Sequence, residues 1–424
     1  MVWPAGTGVS GGGSLMGRIL VGIGGGIAAY KVCELISRWA QEQQEVRVIL
    51  TPTAEQFITP LTVSTLSRHP AYTDRDFWQA QGRPLHIELG EWADVILLAP
   101  LTADLLAKIA HGLADDLLTN TLLASTAPVV VAPAMNTTMW QQPSVQNNYQ
   151  TLMQWPRFHS VGVRAGILAC DVVGAGRMAE PAEIAPWVHS LLITRGKRDL
   201  ANYKILVTAG GTREYLDPVR FLGNPATGAM GLALAQAAWH RGAQVTFIHA
   251  PMSQPIPPLG EVIAVTSGQE MYDTVLTLFP EQDWCLMAAA VGDVRPAHYS
   301  PHKLSKRDLP ACLPVQPVPD IVQALSAQKQ PHQLIIGFAA QTGDIEPPAR
   351  EKLTTKKLDA IIANPVDVAG AGFGSSTNQG IWLDCRGQRF ELPNAPKLTL
   401  AHRILDAAQN LYSSVSSVSS SAGG

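Results

Sequence analysis

The sequence predicts an α/β protein of two domains, each a mainly parallel sheet flanked by helices. Three observations carry that expectation: the length, an alternation of strand-like and helical patterns, and the restart of that alternation midway along the chain. A chain of 424 residues exceeds what one ordinary hydrophobic core organises, and two domains are the simplest division. Apolar runs at 18–22, 45–50, 95–99 and 128–132 alternate with helical patterns, the rhythm of strands joined by crossover helices. A second series opens at 204–208 and continues at 244–249, 284–289, 334–338 and 360–363.

Between the two series, after an apolar helix ending near Ile193, lies a short polar stretch with Gly and basic residues. The expected organisation is therefore a first domain over 17–193, a linker over 194–202 and a second domain over 203–412. Residues 413–424 are almost wholly Ser, Val, Gly and Ala, too poor in large apolar side chains to pack, and are expected to be disordered. The Gly-rich residues 1–16 lack the charged start and apolar run of a secretory signal; they read as a disordered extension or as sequence before a true start at Met16.

A net charge of −3 leaves no basic footprint for nucleic acid. No apolar run is long enough to span a bilayer, so no membrane partner is expected. The five cysteines (Cys33, Cys170, Cys285, Cys312, Cys385) are odd in number, scattered and free of any C-x-x-C pair, which fits a reducing, cytoplasmic setting.

The first strand runs into Gly22-Ile-Gly-Gly-Gly-Ile-Ala-Ala-Tyr-Lys31. Glycines let the backbone approach a ligand, and the N–H groups of the following helix suit a phosphate. A glycine turn kept for packing alone reads the same way, and the spacing is not a clean dinucleotide fingerprint. With His86-Ile-Glu-Leu, Pro133-Ala-Met-Asn136, and Ala169-Cys170 followed by Gly176-Arg-Met178, the first half resembles phosphopantothenoylcysteine decarboxylases across roughly 17–188.

That resemblance implies a flavodoxin-like flavoprotein domain that binds FMN and acts on a carboxy-terminal cysteine. Oxidation at the cysteine Cβ gives a thioaldehyde whose C=S accepts the electrons left by departing CO₂. Cys170 is implied as the acid that protonates the carbon, and His86 as base or charge partner near the thiol. Asn136 is implied as the binder of substrate carboxylate or amide, its alternative being an ordinary cap. Flavin contacts are implied at Gly24, Gly25, Gly26, Ala99, Thr102, Asp104 and Asn120. Gly24 departs from the family by replacing a Ser, and Asp171 by replacing the Gly that usually follows the cysteine.

The second half opens with Ala209-Gly-Gly-Thr-Arg-Glu214, Asp217-Pro-Val-Arg-Phe-Leu-Gly-Asn224 and Gly228-Ala-Met-Gly231. Arg213 and Arg220 add fixed charge to a glycine-rich phosphate cradle, unless each is only a surface ion pair. With Ala288-Ala-Ala-Val-Gly-Asp293, Lys303, Pro319-Asp-Ile-Val322, Gly337-Phe-Ala-Ala340, Lys352 and Lys356, this half is similar to phosphopantothenate-cysteine ligases as far as Asn364.

The similarity implies a nucleotide and substrate site at Arg213, Arg220, Ala288, Ala289, Asp293, Lys303, Pro319, Asp320, Ile321, Val322, Phe338, Lys352 and Lys356. CTP would be the co-substrate, with Asp293 on its Mg²⁺. The carboxylate of 4′-phosphopantothenate would displace pyrophosphate, and the amine of cysteine would then displace the cytidylate. Lys303 is implied to neutralise charge on the transferring phosphoryl group, and Asn224 to hold or turn over the acyl-cytidylate. Ala229 replaces a family Lys, Gln341 a Glu and Gly292 an Ala.

Each domain is thus read as Rossmann-like, and the whole chain resembles the bifunctional bacterial family that makes 4′-phosphopantetheine for coenzyme A. That family implies a homo-oligomer of trimeric flavin domains and dimeric ligase domains, up to a dodecamer. A flavin-binding regulatory or scaffold protein without turnover stays open as an alternative, as does ATP in place of CTP. A nicotinamide-dependent dehydrogenase is a further alternative, but it leaves Pro133-Ala-Met-Asn136 and Cys170 unexplained.

Overall fold

A computed structural model describes residues 16–79, 82–167, 173–309, 311–368, 370, 372 and 374–421. The chain forms two compact units, Met1–Lys197 and Arg198–Gly424.

The first unit is built on a parallel sheet of order β3-β2-β1-β4-β5-β6. Its strands are β1 (Arg18–Ile23), β2 (Glu45–Leu50), β3 (Ala71–Tyr72), β4 (Val95–Leu101), β5 (Val129–Pro133) and β6 (Phe158–Ser160). Every residue of β4 and β5 is buried, as expected of central parallel strands covered on both faces. One face packs Val21, Val48 and Leu97 against Val32 and Leu35 of the helix Ala29–Gln41; the other packs Leu20, Ile96 and Leu98 against Leu105 and Leu118. An antiparallel hairpin of β7 (Val163–Ile167) and β8 (Val173–Met178) follows, and the helix Pro181–Thr194 closes the unit.

The second unit contains an eight-stranded sheet of order β13-β12-β9-β14-β17-β18-β19-β20. These are β9 (Lys204–Ala209), β12 (Gln244–His249), β13 (Glu261–Ala264), β14 (Trp284–Met287), β17 (Leu334–Gln341), β18 (Ala360–Pro365), β19 (Thr377–Asp384) and β20 (Arg389–Pro396). The pairs from β13 to β18 are parallel; β18–β19 and β19–β20 are antiparallel. Two small antiparallel pairs project from strand ends: β10 (Arg213–Tyr215) with β11 (Phe221–Gly223), and β15 (Val294–Pro296) with β16 (Val315–Pro317).

Two boundaries differ from expectation. Leu200, inside the expected linker, is fully buried, and its N–H donates to the carbonyl of Arg241 at 3.1 Å, so 198–202 belong to the second unit. The last helix runs from Lys397 to Ser421, into the segment expected to be disordered. Once Leu400, Ile404, Leu405 and Leu411 pack on the sheet the helix is already nucleated, and each further residue adds one backbone hydrogen bond against the backbone freedom it loses. Residues 1–15 lie outside the described residues.

Candidate active sites

In the first unit, β1 ends at Ile23 and turns through Gly24, Gly25 and Gly26 into the helix Ala29–Gln41. Gly24 and Gly25 pack too closely for side chains. A Cβ on Gly24 would lie 2.5 Å from the carbonyl oxygen of Pro100, and one on Gly25 would lie 2.3 Å from Cγ2 of Thr53. The N–H of Gly24 donates to that same Pro100 oxygen at 3.2 Å.

Two clefts meet at this turn and share Gly25 and Thr102. The first, about 460 Å³, is walled by Gly24, Thr53, Asp74, Asp104, Lys108 and Asp116. The second, about 750 Å³, is walled by Gly26, Tyr30, Lys31, Met135, Asn136 and Arg177. Thr102 caps the helix Ala103–Ala110, its hydroxyl accepting from the N–H of Leu105 at 3.3 Å. In the first cleft Lys108 sits 3.1 Å from Asp115, 3.5 Å from Asp116 and 3.8 Å from Asp104. Burial pulls the Lys108 ammonium down, but the hydrogen bond to Asp115 and the three carboxylate charges raise it above its ordinary value. Burial is also the main reason that the Asp74 carboxyl is raised.

Asn136 enters the second cleft from the loop after β5. Its Oδ1 accepts from the N–H of Thr138 at 2.8 Å, so it does cap the short helix Thr137–Gln141. The loop is pressed onto β8: the N–H of Met135 donates to the carbonyl of Gly176 at 2.9 Å, and a Cβ on Gly176 would lie 2.3 Å from the carbonyl oxygen of Met135.

Three expected contacts stand apart from these walls. Ala99 is fully buried inside β4, where a methyl side chain serves the core. The Nδ2 of Asn120 donates to the carbonyls of Ala114 and Asp116, both at 2.9 Å, so this amide fixes the loop carrying Asp115 and Asp116 and lines neither cleft. His86 is half-buried on the helix Leu85–Trp92, edge-on to Phe77 at 5.4 Å, and also lines neither cleft. Its Nδ1 is buried without a hydrogen bond among the described residues. Cys170 and Asp171 lie outside the described residues.

In the second unit, β9 runs into Gly210-Gly211-Thr212, which bonds to the segment after β14. The N–H of Thr212 donates to the carbonyl of Ala290 at 3.2 Å, and the N–H of Ala290 to that of Gly210 at 2.8 Å. Oγ1 of Thr212 accepts from the N–H of Gly292 at 2.9 Å, and Nδ2 of Asn224 reaches the carbonyl of Val291 at 3.4 Å. The glycine turn, Asn224 and the run from half-buried Ala288 and Ala289 to exposed Asp293 are thereby brought together. The N–H of Val318 donates to the carbonyl of Asp293 at 3.0 Å, adding Pro319 and Asp320 to the same end of the sheet. A Cβ on Gly292 would find Cγ of Glu214 at 3.4 Å, an ordinary contact, so the family alanine would fit there.

The charged residues of this unit differ from expectation in their partners. Arg213 lies over the ring of Phe221, 4.8 Å from its centroid. Arg220 is bound to Asp217 at 2.8 Å, an ion pair of the kind kept open as its alternative. Lys356 pairs with Asp320, and Asp320 also caps the helix Ile321–Gln328 by accepting from the N–H of Gln323 at 3.0 Å. Ile321 turns its side chain into the core and is 4% exposed, as an isoleucine at the start of an amphipathic helix does, which leaves its main chain for any contact there. Val322 and Phe338 are half-buried, whereas Lys303 and Lys352 are exposed.

Sequence reasoning missed Thr53, Lys31, Arg177 and Lys108 as wall residues. Thr53 carried a usable signal, because it follows β2 on the side where β1 and β4 also deliver their ligand loops.

Residues 14–192 match the family model described as Flavoprotein, and residues 200–411 match the DNA/pantothenate metabolism flavoprotein C-terminal domain. The coenzyme A biosynthesis bifunctional protein of Bacillus subtilis is 42% identical over 92% of this chain and 95% of its own length. The chain belongs to the coenzyme A biosynthesis bifunctional protein family. The proteins of that name from Vibrio vulnificus (43% identity, 93% of this chain, 98% of its own) and Escherichia coli (38% identity, 94% of this chain, 98% of its own) are similar along the same span. The chain is accordingly a two-activity enzyme of coenzyme A biosynthesis, with a flavoprotein decarboxylase half and a ligase half. Among the described residues no helix is long and apolar enough to cross a membrane.

Proposed function

We propose that the first unit uses FMN to decarboxylate phosphopantothenoylcysteine to 4′-phosphopantetheine. The second unit, on this reading, makes that substrate from 4′-phosphopantothenate, cysteine and CTP. The observation that carries the reading is the convergence of the glycine turn with Asn136 in one cleft of about 750 Å³. A turn without room for a Cβ at Gly24 and Gly25 lets a phosphate-bearing cofactor reach the backbone, and the Asn136 amide adds a polar anchor to a wall that also carries Thr102, Lys31 and Arg177.

Gly24, Gly25, Gly26 and Thr102 would hold FMN; Asp104 stands at the rim of the first cleft. Bound flavin supplies the hydride acceptor and donor for the cysteine carbon. Asn136 orients the substrate carboxylate, and the Cys170 thiol delivers a proton to the carbon left by CO₂. His86 acts near the substrate thiol. Because it lines neither cleft of its own chain, its part in this chemistry fits flavin domains that complete each other's sites in a homo-oligomer. Exposed Leu61 (77%) and Trp78 (83%) give such an assembly apolar surface.

In the second unit Lys303 and Lys352, without an ion-pair partner among the described residues, supply charge for the triphosphate, and Asn224 holds the acyl-cytidylate. The carboxylate of Asp293 is exposed and makes no hydrogen bond or ion pair among the described residues. One such carboxylate is enough for Mg²⁺ that arrives on a nucleotide.

The test is mass spectrometry of products from wild type and Cys170→Ser given phosphopantothenoylcysteine under anaerobic conditions. Wild type should release phosphopantetheine, and the variant should stop at the species two hydrogens lighter. Untouched substrate in a flavin-loaded wild type would leave only a binding module.

A further inference from the structure

One ion pair in the ligase unit grips both backbone polar groups of Leu304. Asp217 is fully buried. Its Oδ1 accepts from the N–H groups of Val219 and Arg220, each at 2.8 Å. Its Oδ2 accepts from Nη1 of Arg220 at 2.8 Å and from the N–H of Leu304 at 3.2 Å. The same Nη1 donates to the carbonyl of Leu304 at 3.2 Å. Four residues earlier, the N–H of Ser300 donates to the carbonyl of Leu216 at 2.9 Å. The loop is therefore tied at both ends, at 300 and 304, to the segment that joins β10 and β11.

Lys303 sits inside that tied loop with its side chain in solvent. A lysine has a long flexible stem, so the spot its ammonium can occupy depends on how firmly its own Cα is held. We propose that Asp217 is a positioning residue of the ligase, fixing Lys303 through Arg220 and the Leu304 main chain. The inference rests on the role given above to Lys303. Burial alone would push the Asp217 carboxyl up, but three backbone N–H donors and the Arg220 charge hold it below its ordinary value, so the tie persists across the neutral range.

The chemistry of the tie makes Asp217→Asn informative. All four groups facing the carboxylate are donors. An asparagine amide turned either way points its NH₂ at two of them, so one side of the tie must open.

The test measures steady-state pyrophosphate release by the full chain from CTP, Mg²⁺, phosphopantothenate and cysteine. It compares wild type, Asp217→Asn, Lys303→Ala and the double variant. Asp217→Asn should lower kcat by about 100-fold with little change in KM for CTP, since misplacement of a charge by an ångström costs on that order. In the Lys303→Ala background the same change should cause no further loss, because the two act as one unit. Additive losses, or a wild-type rate in Asp217→Asn, would overturn the inference. A wild-type rate in Lys303→Ala would instead overturn the role of Lys303, and this route with it. If Asp217→Asn loses its near-ultraviolet circular dichroism, Arg220→Gln removes the grip on the Leu304 carbonyl and the ion pair with Asp217, but keeps the three backbone N–H donors on the carboxylate. The same non-additivity is then expected, and additivity again refutes it.

Discussion

Nζ of Lys31 donates to both carboxylate oxygens of Glu180, at 2.9 and 3.1 Å, across 149 residues of sequence. Arg177 of β8 pairs with the same carboxylate. The helix that follows the glycine turn, the hairpin strand beside Asn136 and the helix Pro181–Thr194 are thus joined at one wall of the second cleft.

The hydrogen bonds from Lys31 hold the Glu180 carboxyl below the ordinary range, outweighing its partial burial, with the Lys31 and Arg177 charges adding to them. A depressed carboxylate contributes stability above its unfolded pKa of about 4.3, lost as pH falls through the folded value. Glu180→Gln should therefore melt below wild type at pH 7. The loss should be about 1 kcal/mol or less, because the carboxylate is 43% exposed and solvent screens it. The gap should narrow as pH falls past about 4.3 and close once pH is below the folded value; a gap that does not narrow on acidification would contradict the linkage.

Restoring the family serine at Gly24 should not help this chain. Its Cβ would press on the Pro100 carbonyl at 2.5 Å, a backbone atom that cannot swing aside. Gly24→Ser should cost about 1 to 3 kcal/mol in urea unfolding. Wild-type stability with tighter flavin retention would show that the turn relaxes freely.

Asn136 has a capping role and a proposed catalytic one, and two substitutions separate them. Asn136→Ala should lose about 1 kcal/mol of stability with its cap, while Asn136→Asp keeps an oxygen for the Thr138 N–H. Both should lose decarboxylation, since alanine lacks the amide donors and the carboxylate of aspartate repels the substrate's own. Full turnover by Asn136→Asp would reduce the residue to a cap.

Arg241 is the buried centre of the second unit's edge, 2% exposed, bound to Asp199 at 2.8 Å and Asp406 at 2.7 Å. Arg241→Met should destabilise the chain by about 3 kcal/mol, because it leaves two carboxylates without their cation. Chemical unfolding within error of wild type would contradict this.

The parallel cores were legible because central strands such as β4 and β14 are continuous apolar runs. The antiparallel end of the second sheet was not. β19 opens with Thr377-Asn-Gln-Gly, and its partners lie antiparallel on either side, a pairing that no local pattern announces. The glycine turns and Asn136 could be read because their chemistry is local to a few residues. The partners of Arg220 and Lys356 were harder: Asp217 stands only three residues from Arg220, but Asp320 meets Lys356 across 36 residues. The inward turn of the Ile321 side chain was not legible, because the residue sits inside a ligand motif while its side chain follows the helix face.

The central claim is that one chain carries phosphopantothenate through both steps, and the most direct measurement supplies purified protein with phosphopantothenate, cysteine and Mg²⁺, with either CTP or ATP. Mass spectrometry should show phosphopantetheine with CTP, formed through phosphopantothenoylcysteine. Accumulation of neither product with either nucleotide, from protein that retains its flavin, would contradict the account.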